Sequence, residues 1–199
     1  MLMLNIEQGS PEWYAARTGI PTASNFDKLI TSSGDPSKQR QKYLYQLAGE
    51  RITGVAEETY KNGTMQRGSE LEKSARELYE LVNDVPVVQV GICYADKDKK
   101  FSCSPDGLIG DDGVIEIKCP LISTHVSYLL EQKLPTDYFQ QVQGGLYIAG
   151  REWCDFVSFY PGLKPLIVRV KRDEKFIEKL SEALDAFCDE LGKVTERIR

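Results

Sequence analysis

The chain has 199 residues, of which 41% are hydrophobic and 28% are charged, and its formal net charge is −5. This length predicts one domain, and the composition is that of an ordinary globular protein. No apolar run approaches the roughly 18 residues of a membrane span, and the first residues lack the basic and apolar regions of a secretion signal.

The negative charge is concentrated near the end of the chain. Residues 173–192 carry seven acidic residues and two lysines, which gives −5 for this segment alone. The rest of the chain is therefore close to neutral, so the composition leaves room for a local basic groove that binds nucleic acid.

Five cysteines and one histidine narrow the range of site chemistry. The cysteines are odd in number and form no CxxC pair, which favours a reducing cytosol over a disulfide framework or a cysteine-rich metal site. A single histidine excludes HExxH zinc sites, and the P-loop motif GxxxxGK[ST] is missing from the sequence. We expect the cysteines to be small buried hydrophobes and His125 to lie on a helix surface.

Helices are predicted in the N-terminal part of the chain. Ser10 and Pro11 mark the start of the first helix, as its N-cap and first residue, and Gly19 marks its end. A second, short helix is predicted from Thr22 to Ile30. Helix formers from Gln39 to Thr53 predict a third.

A capping box predicts that the next helix begins at Ser69, with Glu72 as the acidic partner of the cap. The residues before it, 59–68, are polar and predicted to be irregular. The capping box also gives Glu72 a purely structural explanation, which competes with any catalytic role.

Strands dominate the middle of the chain. β-branched residues predict strands at 85–95, at 101–104 with a continuation at 107–109, and at 114–118, with a turn at 111–113 before the last. The further predicted elements are helices at 123–132 and 135–149, strands at 153–160 and 166–171, and a long amphipathic helix capped by Asp173. This order predicts an α/β fold with a mixed central sheet flanked by helices.

The sharpest chemical signal combines Asp106, in a turn after Pro105, with Glu116 and Lys118 on the following strand. Side chains alternate faces along a strand, so Glu116 and Lys118 share one face. The two carboxylates and the main-chain carbonyl of Ile117 are oxygen ligands of the kind that Mg²⁺ prefers, and Lys118 would orient or deprotonate an attacking water. A hairpin with a solvated Glu–Lys pair would show the same pattern, so the motif alone leaves both interpretations open.

Two segments resemble the active-site motif of the PD-(D/E)XK nucleases: Ser104-Pro105-Asp106-Gly107 and Glu116-Ile117-Lys118-Cys119-Pro120. The likeness is greatest to their lambda exonuclease (YqaJ-like) branch, the phage-type alkaline exonucleases. Three more segments are similar to motifs of that branch, in the same order: Trp13-Tyr14-x-x-Arg17-x-Gly19-Ile20-x-Thr22-Ala23-Ser24, Gly68-x-x-x-Glu72-x-x-Ala75-Arg76 and Gln141-Val142-Gln143. The resemblance covers roughly residues 10–150.

The resemblance implies a role for each matched residue of the core. Asp106 and Glu116 would be metal ligands, and Lys118 would be the catalytic lysine. Glu72 would join the metal shell. Gln141 would contact the metal-bound water or the scissile phosphate, whereas without the resemblance it would be a solvated helix position.

The N-terminal motif implies binding of the terminal 5′-phosphate of the recessed strand. Arg17 would bind this phosphate, because a guanidinium fork suits phosphate oxygens, although a surface ion pair would explain it equally well. Ser24, with Thr22, would assist from a predicted helix start. Ser104 would either form a hydrogen bond near the metals or shape the turn, and Trp13 is expected mainly in the core.

The resemblance implies a Mg²⁺-dependent exonuclease that degrades the 5′ strand of duplex DNA 5′→3′ to mononucleotides and leaves a 3′ single-stranded tail for recombination. It implies two Mg²⁺ ions, for which Mn²⁺ can substitute. It also implies a homotrimer around double-stranded DNA and a partner protein that anneals single strands. The expected location is the cytoplasm of a bacterial host, for a phage or prophage protein without membrane association.

On this basis residues 1–199 are expected to form a single nuclease domain with a PD-(D/E)XK (restriction-endonuclease-like) core. Residues 10–54 would bind the DNA end and its phosphate. Residues 69–172 would form the catalytic core, and residues 173–195 a C-terminal helix.

Three alternatives stay open. An endonuclease of the PD-(D/E)XK class, or a nuclease specific for single strands, would carry the same core, although the Arg17 motif favours an exonuclease. An iron–sulfur nuclease is disfavoured because a cysteine cluster is missing from the sequence. A non-catalytic DNA-binding module is disfavoured because every catalytic position is filled.

Overall fold

The strands of the computed structural model, which describes residues 1–57 and 63–199, form two β-sheets. A three-stranded antiparallel sheet has the order β1-β2-β3, and a four-stranded mixed sheet has the order β4-β5-β6-β7. Their bounds are β1 Leu2–Leu4, β2 Ile92–Tyr94, β3 Ser102–Cys103, β4 Gly107–Ile109, β5 Gly113–Lys118, β6 Trp153–Ser158 and β7 Leu166–Lys171.

Helices surround the sheets and confirm the α/β class. Their bounds are α1 Pro11–Arg17, α2 Arg40–Thr53, α3 Gly63–Asn83, α4 Ile122–Glu131, α5 Phe139–Ala149 and α6 Glu174–Ile198, with 3₁₀ helices at Ala23–Lys28 and Thr136–Tyr138. Among the described residues, none of the helices combines the length and apolar character needed to cross a bilayer.

Several helix boundaries follow the predicted capping chemistry. Ser10 accepts a hydrogen bond from the Trp13 N–H at the start of α1, and Asp173 accepts one from the Phe176 N–H at the start of α6. Gly54 ends α2 in the left-handed region with φ +69°. Local side chains and glycines therefore determine these ends, which is why the sequence alone located them.

Helix α3 begins at Gly63, so the predicted start at Ser69 is wrong. The predicted irregular stretch is helical from residue 63 onward, and its earlier part, 59–62, lies outside the described residues. Because Glu72 lies well inside α3, it does not cap the helix. The structural explanation for this carboxylate, which competed with a role in the site, is thereby removed.

The predicted strand at 101–104 and its continuation at 107–109 lie in different sheets. β3 ends at Cys103 and β4 begins at Gly107, so the chain crosses from one sheet to the other at Ser104-Pro105-Asp106. Pro105 has no N–H to donate to a ladder, which favours a break here. The crossing places Asp106 beside β5, because the Asp106 N–H donates to the Ile115 carbonyl at 3.2 Å.

The predicted strand 85–95 is shorter than expected, and only Ile92–Tyr94 pairs in the first sheet. Pro86 and Gly91 interrupt the segment, and Val88 forms an isolated bridge to Leu108. The short N-terminal strand Leu2–Leu4, which pairs with Ile92–Tyr94, was not predicted.

The hydrophobic stripe of α6 is buried, as its periodicity predicted. Phe176, Ile177, Leu180, Leu184, Phe187 and Leu191 all belong to the core. The ring of Phe187 stacks on Tyr43 of α2 at 5.7 Å between centroids, so α6 packs against α2. All five cysteines are free and buried, which confirms their expected role as small hydrophobes.

His125 is fully buried, so the prediction of a surface histidine is wrong. Its Nδ1 lies 2.8 Å from the Ser158 hydroxyl, and its Nε2 lies 3.1 Å from the Lys164 carbonyl. Because a carbonyl only accepts hydrogen bonds, Nε2 carries the proton and Nδ1 accepts from Ser158. The histidine fastens α4 to the end of β6, a long-range contact that its place in the sequence does not reveal.

We expect Gly144→Ala to destabilise the protein by about 1–3 kcal/mol, because added volume in a packed site costs that much. A Cβ at residue 144 would come 2.4 Å from Cδ2 of the buried Phe26. Gly145→Ala is the matched control on the same helix, since a Cβ there meets no atom within 4 Å. That control should be neutral or stabilising by up to about 1 kcal/mol. Denaturant unfolding of both variants tests this, and equal stabilities would contradict it.

Candidate active site

Glu116 and Lys118 project from one face of β5, as strand alternation predicted. Lys118 Nζ lies 2.6 Å from Glu116 Oε1, and Glu116 is only 8% exposed. Since β5 lies inside the four-stranded sheet between β4 and β6, this pair is not the solvated pair of a surface hairpin. The alternative explanation of the motif is therefore excluded by burial.

Asp106 is tied directly to the backbone of the same strand. Its Oδ2 accepts a hydrogen bond from the Ile117 N–H at 2.6 Å. This bond places the Asp106 carboxylate next to the strand that carries Glu116. Burial, followed by the negative charges of Glu116 and Glu72, raises the pKa of Asp106 well above its usual value.

Lys118 is held as a cation by the carboxylates around it. Burial alone would lower its pKa, but the charges of Glu116 and Asp106 outweigh that effect and raise the pKa of Lys118. A protonated lysine donates hydrogen bonds and stabilises nearby negative charge. The centroid of the Tyr138 ring lies 5.1 Å from Lys118 Nζ. Tyr138 was not among the residues predicted for the site.

Gln141 reaches the same carboxylate from α5. Its Nε2 donates to Glu116 Oε1 at 2.5 Å, and its side chain is half-buried. Gln141 is therefore not a solvated helix position. Glu116 Oε1 therefore accepts two hydrogen bonds, one from the charged Lys118 and one from the neutral amide of Gln141.

Glu72 contributes a third carboxylate from α3. Its Oε1 accepts from Arg76 Nη2 at 2.7 Å, one turn along the helix, and the Arg76 side chain is 10% exposed. Burial raises the pKa of Glu72, Arg76 opposes the shift, and the charge of Glu116 adds to it. Glu72 and Glu116 are therefore close enough to repel each other.

Arg17, Thr22 and Ser24 form a polar cluster at the N-terminal side of the site. Arg17 Nη2 donates to Ser24 Oγ at 3.1 Å, and Ser24 Oγ lies 3.2 Å from Thr22 Oγ1. Burial lowers the pKa of Arg17 from its usual value, yet an arginine stays charged at neutral pH. One cation and two hydroxyls are thus available together for an anion.

Trp13 links this cluster to the Asp106 turn, a role that the sequence did not suggest. The Arg17 guanidinium carbon lies 3.9 Å from the centroid of the Trp13 ring. The indole Nε1 donates to Ser104 Oγ at 3.0 Å and to the Gly91 carbonyl at 3.1 Å. Trp13 is half-buried between the two parts of the site rather than inside the core. The one sequence feature that could have indicated this role is the place of Trp13 in the N-terminal motif.

A cavity of about 170 Å³ brings most of the predicted residues together. Glu72 instead lines a neighbouring cavity of about 1120 Å³, and the two cavities share Gln8, Trp13 and Asp106 as a wall. Ile117 takes part through its main chain. Eight of the ten predicted residues line the smaller cavity: Arg17, Thr22, Ser24, Ser104, Asp106, Glu116, Lys118 and Gln141.

The carboxylates face protein donors in this arrangement. Glu116 faces Lys118 and Gln141, Asp106 faces the Ile117 N–H, and Glu72 faces Arg76. Within residues 1–57 and 63–199, no three His, Cys, Asp or Glu side chains converge closely enough to hold an ion outright. For a cation to bind at this site, Glu116 and Glu72 would have to give up some of these hydrogen bonds and coordinate the cation instead.

Comparison with protein families identifies a model that covers most of the chain. The model of the YqaJ-like viral recombinase domain matches residues 12–152. This range begins one residue before Trp13 and extends past Gln141, so it contains every residue of the candidate site.

Comparison with solved structures finds an alkaline exonuclease, LHK-Exo from Laribacter hongkongensis. This chain is 37% identical to it, the match covers 95% of this chain and 96% of that one, and the TM-score is 0.87. A structure of LHK-Exo in complex with dAMP matches with the same values. A phage-related exonuclease from Haemophilus somnus 129PT shares the fold, with a TM-score of 0.71 and 16% identity over 90% of this chain and 96% of that one.

A curated relative is much longer than this chain. The uncharacterized protein R354 of Acanthamoeba polyphaga mimivirus is 27% identical over 165 residues, which are 76% of this chain and 29% of the relative. The chain therefore spans less than a third of that protein's length.

We expect Asp106→Asn to raise the melting temperature at pH 8 in the presence of EDTA. The pKa of Asp106 is raised on folding, so stability that is present at low pH is lost as this half-buried carboxyl ionises. The asparagine oxygen can still accept from the Ile117 N–H, but it carries no charge. The gain should shrink toward pH 4, where the aspartate becomes neutral.

Thermal melts from pH 4 to pH 8 measure this effect. Asp111→Asn, at an exposed turn position, is the matched control and should show little change. If the melting temperature of Asp106→Asn at pH 8 is at or below that of the parent protein, the charge of Asp106 does not destabilise the fold.

Proposed function

The chain belongs to the family of YqaJ-like viral recombinase domains, and from this membership we propose that it is a metal-dependent DNA exonuclease. It would degrade the 5′ strand of duplex DNA in the 5′→3′ direction to mononucleotides and leave a 3′ single-stranded tail for recombination. The likeness to LHK-Exo, an alkaline exonuclease at 37% identity, supports the exonuclease class.

One observation favours an exonuclease over the alternative functions. A single small cavity is lined both by Asp106, Glu116 and Lys118 and by Arg17 with Ser24. A cation that holds a terminal phosphate, placed beside the groups that cut, favours removal of nucleotides from an end over cleavage within a strand. LHK-Exo has also been solved with dAMP, a 5′-mononucleotide, which supports the same product for this chain.

The donors of the site fit a hard divalent cation. The carboxylates of Asp106, Glu116 and Glu72 and the carbonyl of Ile117 are oxygen ligands, and burial, followed by the charges of Glu116 and Glu72, raises the pKa of Asp106. We propose that these residues hold two Mg²⁺ ions, with Mn²⁺ able to substitute. When bound, the metal would act as a Lewis acid that stabilises negative charge on the phosphoryl oxygens.

The remaining roles belong to the chain's own side chains. Lys118, held protonated by its neighbours, would donate to a phosphate oxygen and stabilise the charge that grows there. Gln141, whose amide already points at Glu116, would orient the attacking water or the scissile phosphate. Arg76 would keep Glu72 turned toward the site.

The second part of the site would select the DNA end. Arg17 would bind the terminal 5′-phosphate through its guanidinium, with Ser24 and Thr22 as additional donors. Ser104, which accepts from Trp13, would shape the turn before Asp106. Binding of the phosphate would then place the first phosphodiester bond at the carboxylates.

We propose the following organisation and partners on the strength of the family alone. Residues 1–199 would form one nuclease domain, in which residues 10–54 bind the DNA end, residues 69–172 form the catalytic core and residues 173–195 a C-terminal helix. The substrate would be double-stranded DNA ends, the assembly a homotrimer and the partner a single-strand annealing protein. The setting would be the cytoplasm of a bacterial host that carries the gene on a phage or prophage.

We expect digestion of an end-labelled linear duplex with Mg²⁺ to release 5′-mononucleotides from the 5′ strand alone. Lys118→Ala should reduce the rate by about 100-fold or more, since groups that assist proton and charge movement contribute that much. Asp106→Ala and Glu116→Ala should lose activity similarly. Lys133→Ala, an exposed lysine paired with Glu131, is the matched control.

The same digestion separates the alternatives. Internal fragments would indicate an endonuclease, and degradation of single strands alone would indicate the other alternative within the class. Duplex cleavage that survives Lys118→Ala would assign the activity to another protein and leave this chain as a DNA-binding module.

We expect Arg17→Ala to reduce the preference for 5′-phosphorylated over 5′-hydroxyl ends by about tenfold or more, because a hydrogen bond to a charged group contributes roughly 1.5–3 kcal/mol. Initial rates on two duplexes that differ only in the terminal phosphate measure this preference. Arg151→Ala, whose guanidinium bonds the Gly110 carbonyl instead, is the control. An unchanged preference would remove Arg17 from phosphate binding.

A further inference from the structure

Helix α2 holds the turn between α1 and the 3₁₀ helix Ala23–Lys28 at one residue, Gly19. The Gly19 N–H donates to Glu50 Oε2 at 3.0 Å, and Arg51 Nε donates to the Gly19 carbonyl at 2.7 Å. Two consecutive side chains of α2 thus satisfy both polar groups of a single residue. This residue lies two positions after Arg17.

The approach of α2 to this turn leaves no room for a side chain. Gly19 has φ +72°, and a Cβ there would lie 2.6 Å from Cγ and 3.1 Å from N of Arg51. Both the backbone conformation and the space therefore require glycine. The glycine of the N-terminal motif is explained by its contact with α2.

Glu50 is a buried carboxylate that the proposed chemistry does not use. It is 7% exposed, and its Oε1 accepts from Gln46 Nε2 at 2.9 Å and from the Glu57 N–H at 3.1 Å. Burying a charge is costly unless hydrogen bonds compensate for it. Here three N–H donors, including that of Gly19, hold the carboxylate in one place.

A third contact holds the other end of the same segment. The Tyr43 hydroxyl accepts from the Thr22 N–H at 3.3 Å, and Tyr43 lies two turns before Glu50 on α2. Residues i and i+7 lie on the same face of a helix. One face of α2 therefore fixes the backbone at Gly19 and Thr22, both of which lie between Arg17 and Ser24 in the sequence.

We propose that Glu50 and Arg51 are positioning residues that determine the specificity of the site for a terminal 5′-phosphate. They hold the turn at Gly19 so that the Arg17 guanidinium and the Ser24 hydroxyl face one anion together. This inference rests on the function proposed above, in which Arg17 binds that phosphate.

The placement of the two residues argues for an indirect role. Neither Glu50 nor Arg51 lines the cavity that holds Arg17 and Ser24, so neither contacts a substrate there. The Arg51 Nε donates to the neutral carbonyl of Gly19 rather than to an anion. We therefore assign their effect on DNA to the turn that they hold.

The test compares initial rates on duplexes of one sequence with a 5′-phosphate or a 5′-hydroxyl. Arg51→Ala should lower the ratio of the two rates by about three- to tenfold, the equivalent of one lost hydrogen bond. Arg51→Lys, which can still donate to the Gly19 carbonyl, should restore part of the ratio. Arg40→Ala removes an arginine of the same helix that pairs with Glu190, and it should leave the ratio unchanged.

A double variant tests whether Arg51 acts through Arg17. In Arg17→Ala/Arg51→Ala the ratio should equal that of Arg17→Ala alone, because residues that act through one contact are not additive. Glu50→Gln, which keeps the shape but weakens the acceptor, is a second probe if Arg51→Ala fails to fold. An equal loss of both rates in Arg51→Ala, or additive losses in the double variant, would overturn the proposal.

The outcomes also separate this inference from the proposed function. If the parent protein shows no preference for 5′-phosphorylated ends, or if Arg17→Ala leaves that preference unchanged, the proposed phosphate binding and the positioning role fail together. If the parent prefers phosphorylated ends and Arg17→Ala abolishes the preference, but Arg51→Ala and Glu50→Gln retain it, the positioning role alone is overturned.

Discussion

The constraint on which the rest of the structure depends is the grouping of three carboxylates, one buried and two half-buried, close to one lysine. Asp106, Glu116 and Glu72 come from a turn, a strand and a helix, and like charges this close repel one another. Lys118, Arg76, Gln141 and the Ile117 N–H offset part of that cost. A folded protein keeps such a cluster only where the scaffold holds each member firmly, and here the crossing between the two sheets and the neighbouring helices do so.

The N-terminal helices extend that scaffold to the polar cluster of Arg17, Thr22 and Ser24. Trp13 connects the turn before Asp106 to Arg17, so the polar cluster and the carboxylates are linked through one side chain. Helix α2 fixes the opposite side at Gly19 and is itself packed against α6 through Tyr43 and Phe187. The acidic C-terminal helix, which carries no candidate residue of its own, thereby supports the proposed site through α2.

The wrong predictions share a physical cause. Helix α3 begins before Ser69, because a capping box is a local pattern that also occurs inside helices. His125 is buried because α4 packs against β6, which no neighbour in the sequence reveals. The strand at 101–104 and its continuation at 107–109 lie in different sheets, since the change of sheet depends on pairing partners that are distant in the chain. Local signals identify elements well, but they do not say what each element faces.

The sequence by itself determined the α/β class and most helix ends, and its motifs predicted the residues that the fold brings to one cavity. Capping side chains, glycines, strand alternation and the four matched motifs are local features, so one chain is enough to read them. The tertiary structure alone decided that Glu116 is buried and paired with the half-buried Lys118, that Glu72 does not cap its helix and that Trp13 joins the two parts of the site. It also decided that Glu50 and Arg51 hold Gly19, because 31 and 32 residues separate these partners along the chain and only folding brings them together.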